Sequence, residues 1–265
     1  MIACRVLGPV QVVQDGGFPP AELLWRKNLA LLLYLARSPR GRSREHLLGL
    51  LWADKSESLA RHSLNESVRV LRRSVGDTGI DTATGQVRLA SGTVELDVDQ
   101  LEALAAKGDW CSAAALVAGE FMEGFVVPGA TDFEDWLAAE RTVWRRRGVE
   151  VLARCADALL RRGRGGDATA MAERAATLDP RSDLATRAVM RALALGGDRA
   201  PALERYDTFA RRLQEELGVA PEAETAELAE RIRRERSTRP AAAGSRDDER
   251  RAEARLPLVG RGADL

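Results

Sequence analysis

Alanine, leucine, glutamate and arginine dominate residues 97–236, and all four are strong helix formers. A chain so written can hardly be anything but helical there. A Gly-Asp pair opens three stretches, at Gly108-Asp109, Gly166-Asp167 and Gly197-Asp198. Each is followed by small residues: Ala113-Ala114-Ala115, then Ala168, Ala170 and Ala172, then Ala200 and Ala202. Two stretches end in proline-bearing turns, Leu178-Asp179-Pro180 and Leu217-Gly218-Val219-Ala220-Pro221. Small residues let a partner helix approach closely, and proline closes a unit. This is the logic of stacked helix pairs of the tetratricopeptide kind, here a degenerate TPR-like repeat because the spacing is irregular.

The preceding residues are of mixed type. Residues 4–14 are valine-rich and end at the turn signal Asp15-Gly16-Gly17. Residues 23–37 read as a helix that is apolar nearly all round, hence central to a core, and Ser38-Pro39-Arg40-Gly41 stops it. Ser43 can cap a second helix, with Glu45 in its first turn and Leu47, Leu48, Leu50, Leu51 and Trp52 to bury. A third helix runs from about residue 59 to Val75 and stops at Gly76. Beyond it a hairpin is expected. With Ser91-Gly92 as a two-residue turn, Leu89 faces Val94 and Val87 faces Leu96, which puts apolar side chains on one face of both strands.

With 265 residues and 45 % hydrophobic side chains, the chain has material for roughly two ordinary domains. The expected organisation is 1–96, 97–236 and a linker at 237–265, where Arg239-Pro240-Ala241-Ala242-Ala243-Gly244 and mixed charge cannot form a core. No apolar stretch is long enough for a membrane span, and Met1-Ile2-Ala3-Cys4-Arg5 lacks the layout of a signal peptide, so a cytoplasmic place is expected, with no membrane partner. Cys4, Cys111 and Cys155 lie far apart. They are read as small buried apolar residues rather than a disulfide framework or metal site. With only His46 and His62, histidine chemistry has little raw material. Gly163-Arg164-Gly165-Gly166-Asp167 lacks the Gly-Lys-Ser/Thr ending of a phosphate loop. Trp136, Trp144, Tyr206 and Phe209 read as core, while Trp110, Phe121, Phe125 and Phe133 are placed where the two ordered pieces meet. No catalytic, cofactor or metal site is expected, and the chain reads as a non-enzyme.

The formal net charge is zero, but it is unevenly spread: residues 1–96 balance at +4 and residues 97–236 at −5. A basic front half fits a domain that meets a polyanion. Within it, the third helix is the focus. At about 100° per residue, Ala60, Leu64, Val68, Leu71 and Val75 fall on one arc, a packing face. Opposite lie His62, Asn65, Glu66, Arg69 and Arg73, with Arg61 and Arg72 flanking. Arginine can bond guanine in bidentate fashion and asparagine adenine, while flanking arginines suit phosphates. A hairpin bearing Gln86 and Arg88 follows. Helix, helix, basic helix and hairpin is the order of a winged helix, whose third helix enters the major groove.

Several stretches together resemble the Streptomyces antibiotic regulatory protein (SARP) family. They are Arg5-Val6-Leu7-Gly8-Pro9-Val10, Ser43-Arg44-Glu45-His46-Leu47-Leu48 with Leu51-Trp52, and Ala60-Arg61 with Leu64, Val68 and Leu71-Arg72-Arg73. Downstream come Phe133 and Trp136 with Glu140-Arg141, Ala202-Leu203 with Tyr206, and Glu215-Glu216-Leu217-Gly218-Val219-Ala220-Pro221. The resemblance covers about residues 3–236. It implies a mainly α chain: an OmpR-like winged helix-turn-helix (α+β) followed by an all-α bacterial transcriptional activator domain (BTAD). It also implies an activator, of the kind tied to antibiotic biosynthesis and secondary metabolism, that binds repeated promoter sites in double-stranded DNA. Contact with the sigma and alpha subunits of RNA polymerase, a homodimer on DNA and a nucleoid-associated cytoplasmic place follow from the same likeness. DNA contacts fall on Arg61, His62, Asn65, Arg69, Arg72, Arg73 and, on the wing, Arg88. Glu66 departs from the family pattern. Leu258-Val259-Gly260-Arg261 looks like the entry to an AAA- or STAND-type ATPase, as in larger members of the family, and marks the chain as the N-terminal part of such a protein. The alternative is a protein-interaction module, with a degenerate DNA-binding domain, that controls that downstream ATPase.

Overall fold

The computed structural model describes residues 1–14, 17–83 and 85–237. Two short strands open the chain, β1 (Ile2–Arg5) and β2 (Gln11–Gln14). Then follow α1 (Arg26–Ala36), β3 (Arg42–Ser43), α2 (Arg44–Trp52), α3 (Glu57–Val75), β4 (Ile80–Asp81), β5 (Gln86–Leu89) and β6 (Val94–Leu96). Seven helices complete it: α4 (Asp97–Ala106), α5 (Trp110–Leu116), α6 (Thr131–Arg161), α7 (Gly165–Leu178), α8 (Asp183–Gly196), α9 (Arg199–Leu217) and α10 (Ala223–Ser237). The chain is thus mainly α, with a small α+β front and an all-helical rear. No helix among the described residues is long and apolar enough to cross a membrane. The tail at 238–265, with its Leu-Val-Gly-Arg stretch, and the Asp15-Gly16 turn lie outside the described residues.

The apolar helix of the front half is shorter than expected. Residues 21–24 form a separate 3-10 turn, and Trp25 is extended (φ −62°, ψ 135°), which breaks the ladder before α1. The break is stabilised by Asn28, whose side-chain amide donates to the carbonyl of Glu22 at 2.7 Å. Within α1 every residue from Asn28 to Leu35 is buried, as an all-round apolar helix requires. The Ser43 cap forms as expected, its hydroxyl accepting from the His46 N–H at 3.2 Å.

The expected hairpin between β5 and β6 does not form. β5 pairs with β3 and with β4, in the register Ile80↔Leu89. β6 instead lies parallel to β1, with Cys4 opposite Leu96, and β2 takes the other edge of β1. The turn at Gly92 exists, with the Thr93 N–H on the Ala90 carbonyl, but it passes the chain from one sheet to another. Alternation fixes which face of a strand is buried. It does not choose between two partners that both satisfy that face. The wing is therefore the β4–β5 hairpin.

Behind β6 the two halves are joined through backbone. The Asp97 carboxylate accepts from the N–H groups of Val6 (2.9 Å) and Leu7 (3.1 Å). Residues 117–123, between α5 and α6, form a strap along the end of β1. Ala118 and Gly119 donate to the Leu7 carbonyl, Met122 to Val6 and Glu123 to Gly8. Gly8 has φ +141°, and a Cβ there would come within 3.1 Å of the Ala118 side chain, so the close approach needs glycine. Arg141 closes the joint from α6, donating to the carbonyls of Phe121, Met122 and Phe125 at 2.8–3.1 Å. Phe121 and Phe133 are buried here, as expected. Trp136 and Trp144 also reach the front half, Trp136 edge-on to Tyr34 of α1 at 4.9 Å and Trp144 under Arg37 at 5.2 Å, whereas Trp110 lies under Arg154. One apolar core runs continuously from Ile2 to Ala192.

In the rear each helix packs on its neighbours in sequence, and Ala113, Ala114, Ala168, Ala172 and Ala202 are fully buried at the crossings. Asp109 caps α5 through the Ser112 N–H. The cysteines overturn expectation: Cys111 of α5 and Cys155 of α6 are joined in a disulfide, leaving Cys4 alone as a buried thiol. A 44-residue separation along the chain says nothing about distance once two helices pack side by side.

Candidate nucleic-acid interface

α3 is set by its own amphipathicity. Ala60, Leu64, Val68 and Leu71 are buried as the periodicity requires, joined by Ser67, Val70 and Ser74 on the same side. Arg72 and Arg73 lie in the last turn, where cations oppose the helix dipole, and Gly76 (φ +84°) ends it. The outer side carries Arg61, His62, Asn65, Glu66, Arg69 and Arg73, all exposed. Six of the seven expected contact residues therefore sit on one helix, five of them exposed. Arg72 is half-buried and donates to the Thr82 hydroxyl at 3.3 Å, leaning toward the wing rather than outward. Arg88 is exposed on β5, and its partner is Asp81 of β4 at 3.1 Å.

The arginines are not bare. Arg61 pairs with Glu57 at 2.7 Å, Arg69 with Glu66 at 2.9 Å, and Arg73 with Glu22 of the 3-10 turn. The Glu66 that broke the family pattern is thus the immediate neighbour of the central arginine. On the wing, the Ala83 N–H, and secondarily Arg88, hold the Asp81 carboxyl below the usual carboxylate range. Two further polar residues join the face. Arg44, first residue of α2, donates to the Asn65 side-chain oxygen. Lys55, in the turn before α3, donates to the Ser63 hydroxyl at 2.9 Å. Lys27 of α1 instead meets Asp54 at 3.2 Å, beside Gly129 of the segment before α6. Arg44 could have been found from sequence, because the Ser43 cap fixes it at a helix start beside the third helix. Glu22 could not, because only the fold brings it to Arg73.

Elsewhere, a cleft of about 410 Å³ opens behind the strap, lined by Val117, Gly119, Glu120, Glu123, Leu152 and Arg174. Two of its charged residues, Glu120 and Arg174, are committed. Glu120 binds Arg145 and Arg141, and Arg174 donates to the carbonyls of Ala114 and Val117.

Residues 91–233 match the bacterial transcriptional activator domain family. The chain belongs to that family. A solved structure, Mycobacterium tuberculosis EmbR in complex with a low-affinity phosphopeptide, has a similar fold, with a TM-score of 0.67 at 23 % identity. The match covers 88 % of this chain and 65 % of that one, so the chain spans less than two thirds of the EmbR length. No curated protein matches it. The fold is accordingly a winged helix-turn-helix followed by the helical activator domain.

Proposed function

We propose that this activator-family chain is a sequence-specific DNA-binding regulator. In this reading α3 enters the major groove, the β4–β5 wing lies along the backbone, and the helical domain offers a surface to RNA polymerase. A second copy on a repeated site, and work in the cytoplasm at the nucleoid, belong to the same reading. The observation that carries it is the exposed row Arg61, His62, Asn65, Arg69 and Arg73 on one helix beside a hairpin bearing Arg88. Guanidinium groups on such a face can reach both base edges and phosphates.

The ion pairs support a second reading. Arg61, Arg69, Arg73 and Arg88 each already meet a carboxylate, which suits a protein-interaction module that has lost DNA and restrains a downstream ATPase. The two part on one experiment: selection from a randomised duplex pool at near-physiological salt, beside the Arg69→Ala/Arg73→Ala variant. Enrichment of a repeated motif by the wild type alone supports the regulator. No enrichment by the folded chain overturns it in favour of the module. With about six phosphate contacts, affinity of the regulator falls by about 10³-fold between 50 and 200 mM salt.

A further inference from the structure

We propose that Cys111 and Cys155 form a redox-sensitive staple that sets how firmly the strap at residues 117–123 grips β1, and with it how the DNA-reading half is held on the activator domain.

The placement carries the inference. α5 has only seven residues, too few to be a stable helix by itself. Its anchors are the buried Ala113 and Ala114, the Asp109 cap, Arg174 on the carbonyls of Ala114 and Val117, and the bond from Cys111 to Cys155 in the C-terminal part of the long α6. The strap starts where α5 stops, at Val117. Its N–H groups at Ala118, Gly119, Met122 and Glu123 then bond to Val6, Leu7 and Gly8. A covalent link at the root of α5 therefore fixes the origin of the segment that ties the rear half to β1. Without the link, α5 keeps its polar anchors and the packing of Ala113 and Ala114 but loses its one covalent tie to α6, and the strap has a looser base.

The chemistry is thiol–disulfide exchange. Cys155 is buried and Cys111 half-buried, so attack comes at the Cys111 sulfur. A thiolate of a small thiol displaces Cys155, which leaves as a thiolate and takes a proton from water. A second thiol then displaces Cys111 from the mixed disulfide. In total, one protein disulfide and two small thiols become two protein thiols and one small disulfide. Oxidation is the reverse, with a small-molecule disulfide as the oxidant. The third cysteine is an internal reference. Cys4 lies in the core with its thiol pushed up by burial to about 12, so it stays protonated and inert while the fold is intact.

The last clause of the proposal rests on the DNA-binding reading, because a regulator works where thiols are kept reduced. There the bond is a signal of oxidation and not a permanent brace.

The test compares the whole chain equilibrated with glutathione disulfide or with dithiothreitol. Thiols counted after unfolding should number one in the first state and three in the second. Amide exchange at Ala118, Gly119, Met122 and Glu123 should quicken by about tenfold or more on reduction, while Leu71 of α3 stays protected. Cys155→Ala should match the reduced state under both conditions; if that variant does not fold, the two states of the native chain carry the comparison alone. Three thiols under the oxidant, or strap amides equally protected in both states, overturn the staple. Duplex binding is then measured in each state with the motif from the selection. Equal affinity in both states overturns the link to DNA. No binding in either state counts against the regulator reading, while thiol count and exchange still decide the staple.

Discussion

Arginine does two different jobs in the two halves of this molecule. On α3, Arg61, Arg69 and Arg73 are more than half exposed and each faces a carboxylate in water. At the joint, Arg141 is 21 % exposed and gives its protons to the backbone carbonyls of Phe121, Met122 and Phe125. An exposed pair contributes about 0–1 kcal/mol and can exchange its carboxylate for a phosphate. A guanidinium on buried carbonyls cannot be exchanged without leaving acceptors unpaired. Partner and burial, not residue type, separate the arginines that can meet a ligand from those that hold the fold.

The sharpest break of this contrast is at the joint's carboxylate. Asp97→Ala strips the acceptor from the Val6 and Leu7 N–H groups and should cost about 3–4 kcal/mol, read by urea unfolding. Its pH dependence has a definite sign. Burial raises the Asp97 carboxyl above its ordinary value, against the pull of the Val6 and Leu7 N–H groups. The folded state thus holds this proton more tightly than the unfolded chain. The stability contribution is present below the unfolded value and is lost as pH rises through the folded one. Asp97→Asn should flatten that limb. Asp81 runs the other way: with its folded value lowered, its contribution stands above the ordinary carboxylate range and is lost as pH falls through the depressed one.

Next in size is Arg141→Ala, expected to cost about 2–3 kcal/mol in the same unfolding experiment and to speed exchange at Met122 and Glu123. A cost below that of an α3 arginine would erase the distinction between the two regions.

The α3 face was legible in the sequence because periodicity alone sorts Leu64, Val68 and Leu71 from Arg69 and Arg73. So was the helical rear, from its composition and its buried alanines. Strand pairing was not. Val87 and Leu89 need a buried face, and β3 and β4 provide it as well as β6 would. The joint was hidden for the same reason: Asp97 reads as one acid among many until the fold sets it under Val6. The disulfide and the Glu22–Arg73 pair join residues whose proximity is a property of packing, which no local pattern carries.

On α3 itself, Arg69→Ala should cost about 1–3 kcal/mol of specific duplex affinity if it reads a base, and relax preference at that position. Its effect on unfolding should stay within about 0.5 kcal/mol, as for other exposed positions. A stability loss as large as that of Arg141→Ala, with unchanged sequence preference, would move Arg69 into the structural class.

The smallest effect, and the most discriminating, belongs to Glu22→Gln. Glu22 lies on the 3-10 turn, outside the helix, and pairs with Arg73 from there. If the pair is a carboxylate that DNA must displace, the amide variant frees the guanidinium and removes a negative charge near phosphate. Duplex affinity should then rise, by about 0.5–1 kcal/mol at low salt and less at high salt. Stability should barely move, because the pair is exposed at both ends. A fall in affinity would mean that Glu22 aims Arg73 at its contact, and the joint's logic, an arginine fixed by its partner, would then extend onto the recognition face.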